Sequence, residues 1–203
     1  MTVFSYSFSK PAFFISNLSI NSRTTALIAI DLQNAIMAIT AAPYPVNEVV
    51  QRNRRIADEL RARGGLVVWV RVDLKSFLQL PVDQPPAFAV KDLPAELSEI
   101  APSAGFQAGD LLITKAHWGA FAGTALGEEL SARKIDTVLL TGVSTNGGVE
   151  STLRQGTGLG LGFIVVEDAC SSQNADEHRF AFAKIFPRLA RVRTTEEVLK
   201  ALA

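Results

Sequence analysis

Three groups in this 203-residue chain have the types and placement to move protons. Asp31 closes the apolar run Ala26–Ile30, where an unpaired carboxylate is costly to desolvate and needs either a partner or a proton. Lys115 follows a second apolar run, Leu111–Ile113, and a lysine in that position either extends its amine to solvent or meets a carboxylate. The third group is the turn Thr141-Gly142-Val143-Ser144-Thr145-Asn146-Gly147-Gly148-Val149, which follows the run Thr137–Leu140. Two adjacent glycines stand there at the point where a helix should begin. They lose backbone entropy and fill no volume, so backbone shape or free space is what the position requires. Together the groups would give a carboxylic acid tuned by an amine, beside backbone N–H groups able to face a carboxylate or a developing oxyanion. The plainer reading of Asp31 is a helix cap or a structural ion pair.

Other candidates carry less. With only His117 and His178 as histidines and no metal-ligand spacing, a metal site is not expected. His117 beside Trp118 reads as a packed or hydrogen-bonded residue. Arg71 and Asp73, at the end of a further apolar run, either grip an anionic substrate or pair with each other. Cys170 is the single cysteine, so no internal disulfide can form. It reads as a small buried hydrophobe, and a reducing, cytoplasmic compartment is expected.

To bring the three groups together, the elements that carry them must be neighbouring strands. The runs Ala26–Ile30, Leu66–Val72, Leu111–Ile113, Thr137–Leu140 and Phe163–Val166 are too apolar for half-exposed strands and read as central strands covered on both faces. A last short strand is expected over Leu189–Val192. Helices are expected at 46–63, 121–133, 152–161 and 176–186, with Thr195 capping a terminal one. This alternation predicts a three-layer α/β fold: a doubly wound, mainly parallel sheet of about six strands with helices on both faces. In such a sheet the ligand crevice lies beyond the carboxyl ends of the strands, where Asp31, Lys115 and the glycine turn fall. Residues 74–109 interrupt the rhythm with five prolines and are expected to form a lid or binding loop. Lys and Arg balance Asp and Glu at 20 each, which gives no field to recruit nucleic acid or an anionic membrane. No apolar stretch is long enough to span a bilayer, and the Phe-rich residues 1–22 read as an extra strand or an arm laid on a neighbouring subunit, ahead of one domain at 23–203.

The blocks Ala29-Ile30-Asp31-Leu32-Gln33, Lys115 with Phe121, Thr124 and Leu126, and Thr141–Asn146 followed by Val149-Glu150-Ser151-Thr152 resemble the isochorismatase-like hydrolases of the cysteine hydrolase superfamily. The likeness covers nearly all of residues 24–190. It implies a small-molecule substrate, no cofactor, a dimer or tetramer, and a non-proline cis peptide at Val143–Ser144. It also implies Asp31, Lys115 and the position of Gly148 as catalytic, with Gln33, Trp118, Phe121, Ser144 and Gly147 against the substrate. Most of that family carries a nucleophilic cysteine where this chain has Gly148, and an acyl-enzyme route needs that thiolate. The family's true isochorismatases have glycine there too. Their route implies Asp31 as the acid that protonates the methylene carbon of a vinyl ether, with Lys115 orienting it and Gly148 leaving room for substrate and water. The alternative is an amidase relative without its cysteine, natural or engineered, that binds a small amide or metabolite without turnover.

Overall fold

Strand β1 (Thr25–Ile30) is buried along its whole length because it lies in the middle of a six-stranded sheet. A computed structural model describes residues 18–85 and 93–202. In it β1 is flanked by β2 (Leu66–Val72), β3 (Leu111–Lys115), β4 (Thr137–Val143), β5 (Gly162–Ser171) and β6 (Arg191–Arg193) in the order β3-β2-β1-β4-β5-β6. Every pairing is parallel. The chain winds outward in one direction from β1 and then returns to add β4 on its other side. The reversal therefore falls between β1 and β4, the place where such sheets hold their ligands.

Successive β1 side chains go to opposite faces. Leu27 and Ala29 join one core with Val67, Trp69, Leu139 and Ile164; Ala26, Ile28 and Ile30 join the other with Val68, Val70, Leu140 and Val165. The first core is closed by α2 (Val46–Ala62) and α6 (Thr195–Leu202), the second by α3 (Leu126–Ala132), α4 (Glu150–Gly158) and Ala181, Phe182 and Phe186, which follow α5 (Ala175–Phe180). A short α1 (Asn34–Met37) follows β1 directly.

Helix α2 buries Val46, Val49, Val50, Asn53, Ile56, Ala57 and Leu60 on one stripe, the spacing of one helical face. It stops at Gly64, whose φ of 72° suits a residue without Cβ. The N–H groups of Gly64 and Gly65 turn back to the carbonyls of Arg61 and Leu60, the paired closure that satisfies orphan helix carbonyls. The same device ends α4, through Gly160 and Leu161 onto Thr157 and Gly156.

Several expected bounds shift. Strands β4 and β5 run beyond their apolar cores to Val143 and Ser171, because the ladder continues through polar residues the hydropathy pattern does not register. The helix expected over 121–133 begins only at Leu126. Gly123 takes a φ of 67°, and Thr124 donates its hydroxyl to the Ala120 carbonyl while accepting from Leu126 N–H, so 121–125 close as a turn. Leu189 and Ala190 donate back to the Phe186 carbonyl and finish the preceding turn, which leaves β6 to start at Arg191. The terminal helix is capped one residue earlier than expected. Thr194 and Glu197 exchange side-chain and backbone hydrogen bonds as a capping box does, and Thr195 instead donates twice to Asp168.

Residues 1–17 of the expected arm lie outside the described residues, as do 86–92 of the interruption after β2. Leu18 and Ile20 pack on this chain's own core, and Ile20 N–H reaches the Ala201 carbonyl at the end of α6. Among the described residues no helix is long and apolar enough to cross a membrane.

Candidate active site

The acid at the end of β1 is set by a backbone that turns abruptly. Asp31 has a φ of 56°, in the left-handed region that aspartate tolerates better than most residues. Its N–H still continues the ladder to the Val70 carbonyl at 2.8 Å. The neighbouring strand passes very close: a Cβ on Gly142 would lie 2.2 Å from the Ile30 carbonyl oxygen, and Gly142 has a φ of 116°. Only glycine fits both constraints. Strand β4 thus passes tightly against the end of β1 before entering the turn that carries Gly147 and Gly148.

Lys115 arrives from β3, two strands away from β1. Its Nζ donates to Asp31 Oδ2 at 2.8 Å, and to the carbonyls of His117 and Trp118 at 3.1 Å each. An ammonium has three donors, and all three are engaged on buried or part-buried acceptors. Lys115 is therefore fixed in position and has no N–H left for a substrate anion. Asp31 is 7% exposed, and its Oδ1 is buried with no hydrogen-bond partner among the described residues. Burial raises the Asp31 pKa above the usual carboxylate range, and Lys115 opposes this through its charge and its hydrogen bond. Because the lysine holds Oδ2, a proton on this carboxyl belongs on Oδ1.

The turn after β4 does not start a regular helix. Peptide Val143–Ser144 is cis, as the resemblance implied. Residues Thr145–Val149 form a wide five-residue turn, with Gly147 at φ −113° and ψ −105°, before α4 continues the chain. A Cβ on Gly148 would lie 2.8 Å from Ile30 Cγ2 and 3.1 Å from Asp31 Oδ2. Gly148 is thus pressed against the acid, and the space a side chain would need is already filled by β1. Gly147 lies under Trp118, whose ring is the nearest neighbour to a Cβ built there. Trp118 is 50% exposed and meets Phe77 edge to face.

Of the residues expected at the site, Asp31, Lys115, Gly148, Gly147, Trp118 and Ser144 come together. Gln33 does not present itself to a ligand. Gln33 is fully buried; its amide donates to the carbonyls of Val72 and Leu97 and accepts from Val72 N–H. It therefore braces β2 and the segment after it. Phe121 is partly buried and packs against the core beside Gly156. For Arg71 and Asp73 the structure favours neither use: Arg71 Nε donates to Thr114, and Asp73 is held by Ser76.

Nothing in the residue pattern signals the supports behind these groups. Thr152 accepts from Ala120 N–H and donates to the Gly148 carbonyl. The Gln155 side-chain oxygen accepts from Phe121 and Ala122 N–H. From behind the turn, His178 Nδ1 meets Thr145 Oγ1 at 2.8 Å, and Glu177 accepts from Asn146. Asn53 of α2 meets Thr141 of β4 and donates to the Ala169 carbonyl in the irregular stretch of β5. Among the described residues no group of three or more His, Cys, Asp or Glu side chains could hold a metal ion.

The sequence matches the family described as Isochorismatase domain over residues 25–197. It is 44% identical over 190 residues to an uncharacterized isochorismatase family protein, YecD, of Escherichia coli O157:H7, covering 91% of this chain and 100% of that protein. A ureidoacrylate amidohydrolase, RutB, of Klebsiella pneumoniae is 30% identical over 183 residues, with 75% of each chain covered. Among solved structures, an isochorismatase family protein from Burkholderia thailandensis superposes with a TM-score of 0.86 at 38% identity, over 92% of this chain and 99% of that one.

Proposed function

The chain belongs to the isochorismatase family, and on that premise we propose that it hydrolyses a small molecule by acid-assisted chemistry without a covalent intermediate. The observation that carries this reading is the pairing of a buried acid with a position that cannot hold a nucleophile. Asp31 keeps Oδ1 unpartnered while Lys115 occupies Oδ2, and Gly148 offers no attacking atom.

In the reaction that fits, Asp31 gives the proton on Oδ1 to the methylene carbon of a vinyl ether, forming a C–H bond and leaving an oxocarbenium ion. Water adds to the cationic carbon and loses a proton, which restores the acid. The hemiketal then breaks its C–O bond to give a ketone and an alcohol. A raised pKa keeps Asp31 protonated further up the pH scale, and a proton donor works best with a pKa near the working pH. Lys115 fixes the carboxyl's orientation, and as the carboxylate develops it provides a positive charge at 2.8 Å. With isochorismate as substrate the ketone is pyruvate. Pyruvate release, absent from an Asp31→Asn control, is the test; no release by the wild-type protein rejects this substrate.

The second reading is an amidase relative that binds its ligand without turnover. The similarity to a ureidoacrylate amidohydrolase supports it, as do the three serine, threonine and asparagine residues of the turn. A thiol restored at Gly148 must displace Ile30, so the informative variant is Gly148→Cys with Ile30→Ala. Amide hydrolysis appearing in that double variant supports a disabled amidase, and its absence in a folded variant counts against one.

A further inference from the structure

A concave site opens beside α5, apart from Asp31. It has a volume of about 490 Å³ and is lined by Tyr44, Glu167, His178, Arg179, Phe182 and Val192 among others, a size suited to a small molecule. Neither Asp31, Lys115 nor Gly148 contributes to it. The site exists because β6 pairs with β5 only as far as Val166. Beyond that point β5 is irregular against β4, and Glu167 stands in the uncovered stretch between the Pro43–Tyr44 loop and α5.

The charges in this cleft are not balanced. The Glu167 side chain is 36% exposed, and among the described residues the one basic group within ion-pair distance is His178 Nε2 at 3.7 Å. That ring is neutral at ordinary pH, since burial lowers its pKa to about 4. Its Nε2 is buried and has no hydrogen-bond partner among the described residues. Arg179, the guanidinium of the lining, is bound to Asp176 at 2.6 Å. The Glu167 carboxylate receives one weak hydrogen bond, from the Tyr44 hydroxyl at 3.4 Å. An open carboxylate therefore stands over an uncharged imidazole, within walls made by Tyr44, Phe182 and Val192.

We propose that this cleft binds a small organic amine, its ammonium on the Glu167 carboxylate and its apolar body against Tyr44, Phe182 and Val192. An anion would be repelled by Glu167. A divalent metal ion would find one carboxylate and one imidazole, too few ligands to replace its water. An ammonium meets a single charged acceptor, and its organic body gains from contact with the apolar walls.

Titration of the intact protein with benzylamine, followed by calorimetry and by the His178 ring resonance, tests this; benzyl alcohol serves as the uncharged match. The expected result is saturable benzylamine binding that shifts the His178 resonance, about tenfold or more tighter than benzyl alcohol. Glu167→Gln should remove that preference, and Asp31→Asn should leave it unchanged. Absence of saturable benzylamine binding, equal affinity for the alcohol, or loss of binding in a folded Asp31→Asn protein overturns the proposal. The wild-type comparison of amine and alcohol decides the matter even if Glu167→Gln fails to fold.

Discussion

Lys115 Nζ stands 2.8 Å from Asp31 Oδ2 across two strand positions of the sheet, and the lysine's other two donors are spent on the carbonyls of His117 and Trp118. The amine is locked by three acceptors, so the acid can vary its protonation without losing its position. The loop 117–118 that covers the site is tied to the same nitrogen.

Lys115→Met removes both influences that lower the Asp31 pKa and leaves burial unopposed. A general acid acts while protonated, so its rate falls as pH rises through its pKa. The fall should therefore move to higher pH in the variant, while the maximal rate drops by about 100-fold as orientation is lost. A pH–rate profile of kcat reads both effects; a fall at the wild-type pH would exclude Asp31 as the donor.

Gly148→Ala places a Cβ 2.8 Å from a methyl of Ile30, a stiff β-branched side chain with no exposure. Overpacking of this kind costs about 1–3 kcal/mol. Ile30→Ala alone should also destabilise, by opening a cavity. The double variant should be more stable than the sum of the two losses, and urea denaturation of all four proteins gives that coupling. Simple additivity would show that the two positions do not press on each other.

Gln33→Leu keeps the side chain's bulk but strands the Val72 N–H and the carbonyls of Val72 and Leu97. Each buried group left unpaired costs about 1–3 kcal/mol, so a loss of several kcal/mol is expected in thermal or chemical denaturation. If Gln33 instead serves the substrate, KM should rise with stability unchanged.

His178 has a pKa near 4 in the folded protein against 6.5 when free. Between those values the unfolded chain binds a proton that the folded one refuses. Stability is therefore fully present above pH 6.5 and declines as pH falls toward 4, by up to about 3 kcal/mol. His178→Phe should flatten that decline, although it lowers stability at neutral pH by leaving the Thr145 hydroxyl without its partner. Denaturation midpoints at pH 7 and pH 4.5 for both proteins make the comparison.

The amino-acid sequence by itself determined the three-layer class and where the central strands lie, though not where β4 and β5 end. Runs such as Ala26–Ile30 and Val67–Val70 are apolar at every position, and only a strand covered on both faces accommodates that. Asp31 and Lys115 were legible for the same reason: a charge that ends such a run must be paired or protonated. What only the tertiary structure decided is how each polar atom is spent. Gln33 looks like a site residue in the motif, yet its amide is consumed by β2. His178 reaches the glycine turn from 33 residues away. Hydrophobic period reports which face is buried, but hydrogen-bond partners depend on chain paths that bring distant segments within about 3 Å. Even the room at Gly148 is decided in three dimensions, by how closely Ile30 approaches it from a strand more than a hundred residues earlier.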